Sequence, residues 1–98
     1  MDNLLFEFTE RTPEINFNCV TGSFLISGNS IPEDCLVFYK EIFNWLDEYI
    51  KNPRPQTVLE LRMKFFNTST SKCLFTIFRK IEELKNNGNE ATINWYYQ

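Results

Sequence analysis

Histidine is absent from the 98 residues. With it go the commonest general base and the commonest zinc ligand. Cysteine is scarce: Cys19, Cys35 and Cys73 are odd in number, far apart and without a CxxC pair. That pattern speaks against a zinc or redox site and for buried, reduced thiols. Gly22, Gly28 and Gly88 are scattered, so no Gly-rich loop is available to cradle a phosphate. No apolar run approaches the ~20 residues of a membrane span. The first stretch, MDNLLFEFTER, has no basic region and too short an apolar run for a signal peptide, so a cytoplasmic location is expected. Positive charge is short as well. Ten Lys and Arg against 13 Asp and Glu leave a formal charge of −3, whereas a nucleic-acid binder is ordinarily basic. The expectations are therefore no cofactor, no metal, no nucleic acid and no membrane.

What remains is apolar and aromatic. Hydrophobic residues make up 43% and aromatic residues 16%, with Phe the largest share. That composition belongs to a globular chain, and the length to a single domain over residues 1–98 with one core. A short strand is predicted within LLFEF (4–8). In EINFNCV, Ile15, Phe17 and Cys19 alternate with Asn16 and Asn18, and SFLISG follows, with Thr21-Gly22 as the hairpin turn. A first helix is predicted from Ser30, read as the N-cap of a capping box with Glu33, with Pro32 in the first turn. Its stripe is Tyr39, Ile42, Phe43, Leu46, Tyr49 and Ile50, and Pro53 stops it. QTVLELRMKFF alternates strictly, with Leu59, Leu61, Met63 and Phe65 on one face and Glu60, Arg62 and Lys64 on the other. A second helix follows, with Cys73, Leu74, Ile77, Phe78, Ile81 and Leu84 inward and Gly88 as terminator. ATINWYYQ is a last strand. The order β-β-β-α-β-α-β implies an α/β fold: a mixed sheet of four to five strands with two helices on one face.

Chemistry has to come from hydroxyls and carboxylates. Asn67-Thr68-Ser69-Thr70-Ser71 stands where a strand hands over to a helix. Asn, Ser and Thr there read first as N-caps. The same place has free backbone N–H groups and the positive end of the helix dipole, which favour an added anion by ~0.3–1 kcal/mol. A phosphate on Thr68 would bring about −1.5 to −2 charges without breaking the helix, and Lys72 lies one turn on to meet it. Asn67-Thr68-Ser69 also spells a glycosylation sequon, which has no use in a chain lacking a secretory signal. Glu60 and Arg62 read as a surface ion pair, because Arg does not give up its proton. Phe75, off the main stripe, reads as a second-layer core residue.

TPEINFN, GSFLISGNSIPED, LELRMKFFNTSTSK and the closing INWYY together resemble the SiaC family of regulatory phosphoproteins, from Thr12 to Tyr97. The resemblance implies a STAS-like fold, similar to anti-anti-sigma factors, and no catalytic activity. It implies a GHKL-type Ser/Thr kinase that phosphorylates one hydroxyl at the start of the second helix, a PP2C-type phosphatase that removes the phosphate, and a diguanylate cyclase engaged by the unmodified form. The family's phosphothreonine falls on Thr68, with Asn67, Ser69, Arg62 and Lys72 as partner-binding candidates. SiaC-like chains usually continue into a further C-terminal helix. This one ends at Gln98, and apolar surface left uncovered there favours a homo-oligomer. Two other readings stay open. One is an anti-anti-sigma factor using the same switch in a partner-switching module that controls a sigma factor. The other is a small enzyme or nucleotide binder.

Overall fold

Alternation in residues 56–66 is realised as a central strand because Thr57, Leu59, Leu61 and Met63 are all buried while Glu60 and Arg62 look outward. Around it the computed structural model, which describes residues 1–97, places β1 (Leu4–Phe6), β2 (Glu14–Asn18), β3 (Ser23–Ser30), α1 (Cys35–Lys51), β4 (Gln56–Phe66), α2 (Thr68–Asn86) and β5 (Glu90–Tyr97). Gln98, included in the predicted last strand, lies outside the described residues. The sheet order is β1-β2-β3-β4-β5. β1, β2 and β3 pair antiparallel, and β3, β4 and β5 pair parallel. Two successive crossovers between parallel strands, β3 to β4 and β4 to β5, put both helices on one face when they share the usual right hand. The expected mixed α/β sheet is therefore what forms, with five strands.

The core lies between that face and the helices. Phe17, Phe24, Ile26, Leu59 and Leu61 from the strands meet Tyr39, Ile42, Leu46, Leu74, Ile77 and Ile81 from the helices. Burying each such large side chain contributes ~1.5–3 kcal/mol. Phe24 stacks on Phe17 and meets Trp45 and Tyr49 edge-on, which fixes the tilt of the end of α1. Among the described residues no helix is long and apolar enough to cross a membrane.

The structure departs from the sequence reading in three places. Helix α1 starts at Cys35, and its cap is Asp34, whose side chain accepts from the Val37 N–H at 3.2 Å. Ser30 is instead the last residue of β3 and fully buried, because pairing with β4 extends the strand to its register partner Phe66. Phe65 does not turn inward and is 59% exposed. The register between β3 and β4 slips after Gly28–Met63, so that Asn29 faces Phe65. Lys64 is then an extra residue, a bulge that reverses the phase. Phe66 takes the inner side against Trp95. Phe75 is also outside, at 64% exposure.

The β2–β3 turn is built on Asn18, whose side chain accepts from the N–H groups of Val20 and Thr21, and on Gly22 at φ 78°. A Cβ on Gly22 would sit 2.2 Å from the Gln56 carbonyl oxygen. Gly22→Ala is expected to lose about 2 kcal/mol or more, from the left-handed φ and the backbone clash together. A urea titration with an unchanged midpoint would show that the turn can relax.

Candidate functional site

Parallel strands with crossover helices bring the starts of both helices to one edge, the carboxyl ends of β3 and β4. Ser30, Asp34, Cys35 and the Asn67–Thr70 segment converge there. Asn67 adopts an extended backbone and caps α2, its Oδ1 accepting from the Thr70 N–H at 2.8 Å. Its own N–H donates to the Ser30 carbonyl at 3.3 Å, and its carbonyl accepts from the Ser71 N–H at 3.1 Å. This is the ordinary reason an Asn ends a strand and begins a helix. It also commits the Asn67 Oδ1 to the helix start.

Thr70 is the anchor. It is fully buried, and its hydroxyl donates to the Ser30 carbonyl at 2.8 Å. Ser30 Oγ lies 2.9 Å from that hydroxyl and 2.8 Å from the Tyr39 phenol. Each hydroxyl has one proton. With the Thr70 proton committed to the carbonyl, Ser30 must donate to Thr70 and Tyr39 to Ser30. Burial pushes the Tyr39 phenol far above its usual range, so it stays protonated as this chain requires. The Cys35 thiol closes the cluster at 3.4 Å from Thr70 Oγ1. Cys73 is buried beside it, and burial together with the neighbouring thiol pushes its pKa up, which suits an inert thiol.

Thr68 and Ser69, the first two helical residues, are exposed. Their N–H groups have no intrahelical acceptor and point outward at the positive helix end. Thr68 and Lys72, four apart, share one helix face. Ser69 and Lys72 line a groove of about 430 Å³ between the helix starts, together with Asp34, Leu36, Phe43 and Cys73. Arg62 is set apart from these residues. It lies on the open sheet face, paired with Glu60 as the spacing suggested, with its guanidinium 4.2 Å from the Tyr96 ring centroid. Sequence reasoning missed Ser30, Tyr39 and Thr70 as one unit. Thr70 differs from its neighbours only in facing inward, which the helical period three residues before Cys73 does indicate. Among the described residues no group of three or more Cys, Asp or Glu is placed to hold a metal ion.

The geometry divides the labour within NTSTS: Asn67 caps, Thr70 anchors and Thr68 is spare. Asn67→Ala should lose about 1 kcal/mol, and Thr70→Val about 1–3 kcal/mol through the unpaired carbonyl and serine. Thr68→Ala should stay within about 0.5 kcal/mol of wild type. Urea denaturation of the three variants checks the order. A Thr68→Ala loss equal to that of Asn67→Ala would return the cap to Thr68.

Comparison with known proteins follows the same lines. Residues 6–98 match the family model described as SiaC family regulatory phosphoprotein. An uncharacterized protein of Pseudomonas aeruginosa (strain UCBPP-PA14) is 26% identical over 97 residues, covering 99% of this chain and 77% of the relative. The crystal structure of apo-SiaC from Pseudomonas aeruginosa superposes with a TM-score of 0.93 at 26% identity, over 100% of this chain and 81% of that one. The crystal structure of the diguanylate cyclase SiaD in complex with its activator SiaC, also from Pseudomonas aeruginosa, gives 0.89 at 26% identity, over 96% of this chain and 77% of that one.

Proposed function

Because the chain belongs to the SiaC family of regulatory phosphoproteins, we propose that it is a non-catalytic binding switch set by phosphorylation of Thr68. The γ-phosphoryl group of ATP moves to Thr68 Oγ1 on a GHKL-type Ser/Thr kinase, ADP leaves and the hydroxyl proton is lost. A PP2C-type phosphatase hydrolyses the ester, restores the hydroxyl and releases inorganic phosphate. The unmodified form binds and activates a diguanylate cyclase, and the phosphorylated form releases it. One observation carries the reading. Thr68 is an exposed hydroxyl at the first position of a helix whose cap and anchor are other residues. A phosphate there meets free N–H groups and a favourable dipole, so the scaffold stays intact while the surface charge changes by about −1.5 to −2. Thr70 is closed to a kinase by its burial.

The cyclase output is preferred to a sigma-factor output because the related SiaC was solved bound to the cyclase SiaD as its activator. Asn67 keeps the helix start rigid, and Ser69 and Lys72 present the groove beside Thr68. Arg62 is reached only by a partner that also wraps onto the open sheet face. The test is to incubate the chain with its cognate kinase and ATP, map the phosphate by mass spectrometry, and titrate both forms with the cognate cyclase. Phosphate on Thr68, none on Thr68→Ala, and about tenfold or greater weakening of cyclase binding are expected from the added charge. Phosphate confined to Ser69, or equal cyclase binding by both forms, would overturn the reading.

A further inference from the structure

We propose that the outer edge of β5 is a self-association surface, where a second copy of this chain pairs antiparallel about a twofold axis at Ile93. The inference goes beyond the switch and holds whichever partner Thr68 controls.

The two edges of the sheet differ. β1 closes one side with three residues, and a very short edge strand is a poor template for another. β5 closes the other side with eight, Glu90–Tyr97, and among the described residues only β4 pairs with it. The Glu90 N–H donates to the Pro55 carbonyl at 2.9 Å, so the even-numbered residues of β5 bond inward to β4. Alternation then directs the N–H and C=O of Ala91 and Ile93 outward. Sheet edges are ordinarily blunted by Lys, Pro or a bulge. Residues 90–97 hold no Lys and no Pro, and past Glu90 they carry no charge. The register with β4 runs unbroken from Gln56↔Glu90 to Met63↔Tyr97, so no bulge twists the edge away.

The residues along the strand suit a copy of itself. With Ile93 on the axis, its N–H and C=O bond the same groups of the second copy. Counting outward, Ala91 then faces Trp95 of the second copy, Thr92 faces Asn94, and Glu90 faces Tyr96. On the helix side a small side chain meets a large one, and Ile93, 36% exposed, meets its own counterpart. On the open face uncharged polar side chains meet. The strand's single charge, Glu90, arrives at the Tyr96 ring, over which the Arg62 guanidinium lies 4.2 Å from the centroid. Arg62 already holds Glu60, and a guanidinium has donors for a second carboxylate. The twofold axis thus brings Glu90 to a cation and keeps it from the other Glu90, at the far end of the pair.

The size is that of a weak dimer. Eight residues make an edge about 26 Å long, and the molecule is 20 Å across its shortest axis. A strip of that outline covers roughly 500 Å² on each copy, or about 1,000 Å² in all, the threshold of a specific interface.

Sedimentation equilibrium of the full chain between about 5 and about 500 μM should therefore show monomer and dimer in exchange. Over the same dilution, amide shifts in the nitrogen-15 spectrum should centre on residues 91–94, and the Ile93 amide should exchange with deuterated solvent more slowly at the higher concentration. Non-hydrogen-bonded antiparallel pairs approach most closely, so a mixture of labelled and unlabelled chain should give an intermolecular NOE between Thr92 Hα and Asn94 Hα. Ile93→Lys places two like charges on the axis and should weaken the dimer about tenfold or more at unchanged melting temperature. A monomer throughout the range, shifts centred on another element, an intermolecular NOE between a different pair of residues, or a folded Ile93→Lys that dimerises like wild type would overturn the proposal. So would growth beyond the dimer, because a twofold pair closes and leaves no free β5 edge. Should Ile93→Lys fail to fold, the wild-type shifts and NOE decide alone.

Discussion

One buried chain of hydroxyls holds the working edge of this molecule together. The Tyr39 phenol, the Ser30 hydroxyl, the Thr70 hydroxyl and the Ser30 carbonyl follow one another at 2.8–2.9 Å. They come from α1, β3 and α2, so the chain ties both helix starts to the end of a central strand. All three residues are fully buried. In a low-dielectric interior each bond is stronger than in water, and each lost partner costs correspondingly more. The arrangement has one satisfied pattern of protons, and it ties the start of α2 to the end of β3. A second phenol does similar work at the other end of α1, where Tyr49 bonds Thr57 at 2.8 Å. α1 is thus pinned at both ends by tyrosines.

That rigidity is what would make the proposed switch at Thr68 workable. A charge added to a loosely held helix start would move or melt it, and the effect on a partner would be diffuse. Here the groups that hold the helix, Asn67 and Thr70, are already engaged inside. Thr68 sits between them in sequence and outside them in space. An anion on it can be read as a change of potential on a fixed surface.

Much of the fold was legible from periodicity. β4 and both helices carry stripes whose spacing leaves few alternatives, and the β-α-β-α-β order implies the handedness that puts both helices on one face. The misreadings share a cause. Ser30-Ile31-Pro32-Glu33 satisfies a capping box locally, yet strand pairing with β4 claims Ser30 first. Phe65 obeys the alternation of β4 until a single-residue bulge at Lys64 reverses it, and a bulge has no marker in a run of good β-formers. Phe75 looked like spare core because apolar residues are usually inside. The helix leaves it out because Leu74 and Ile77 already fill the inner face.

The sequence by itself determined the elements, their order and the hydroxyl-rich junction at which Thr68 stands. Those features rest on local periods and on turn and cap chemistry, which short stretches of chain carry within themselves. Only the tertiary structure decided which hydroxyl of that junction is exposed, which is the anchor, and which distant side chains complete it. Ser30 and Thr70 are 40 residues apart. Their hydrogen bond exists only because two crossovers bring the ends of β3 and β4 to one edge, and no pattern within either segment encodes that meeting.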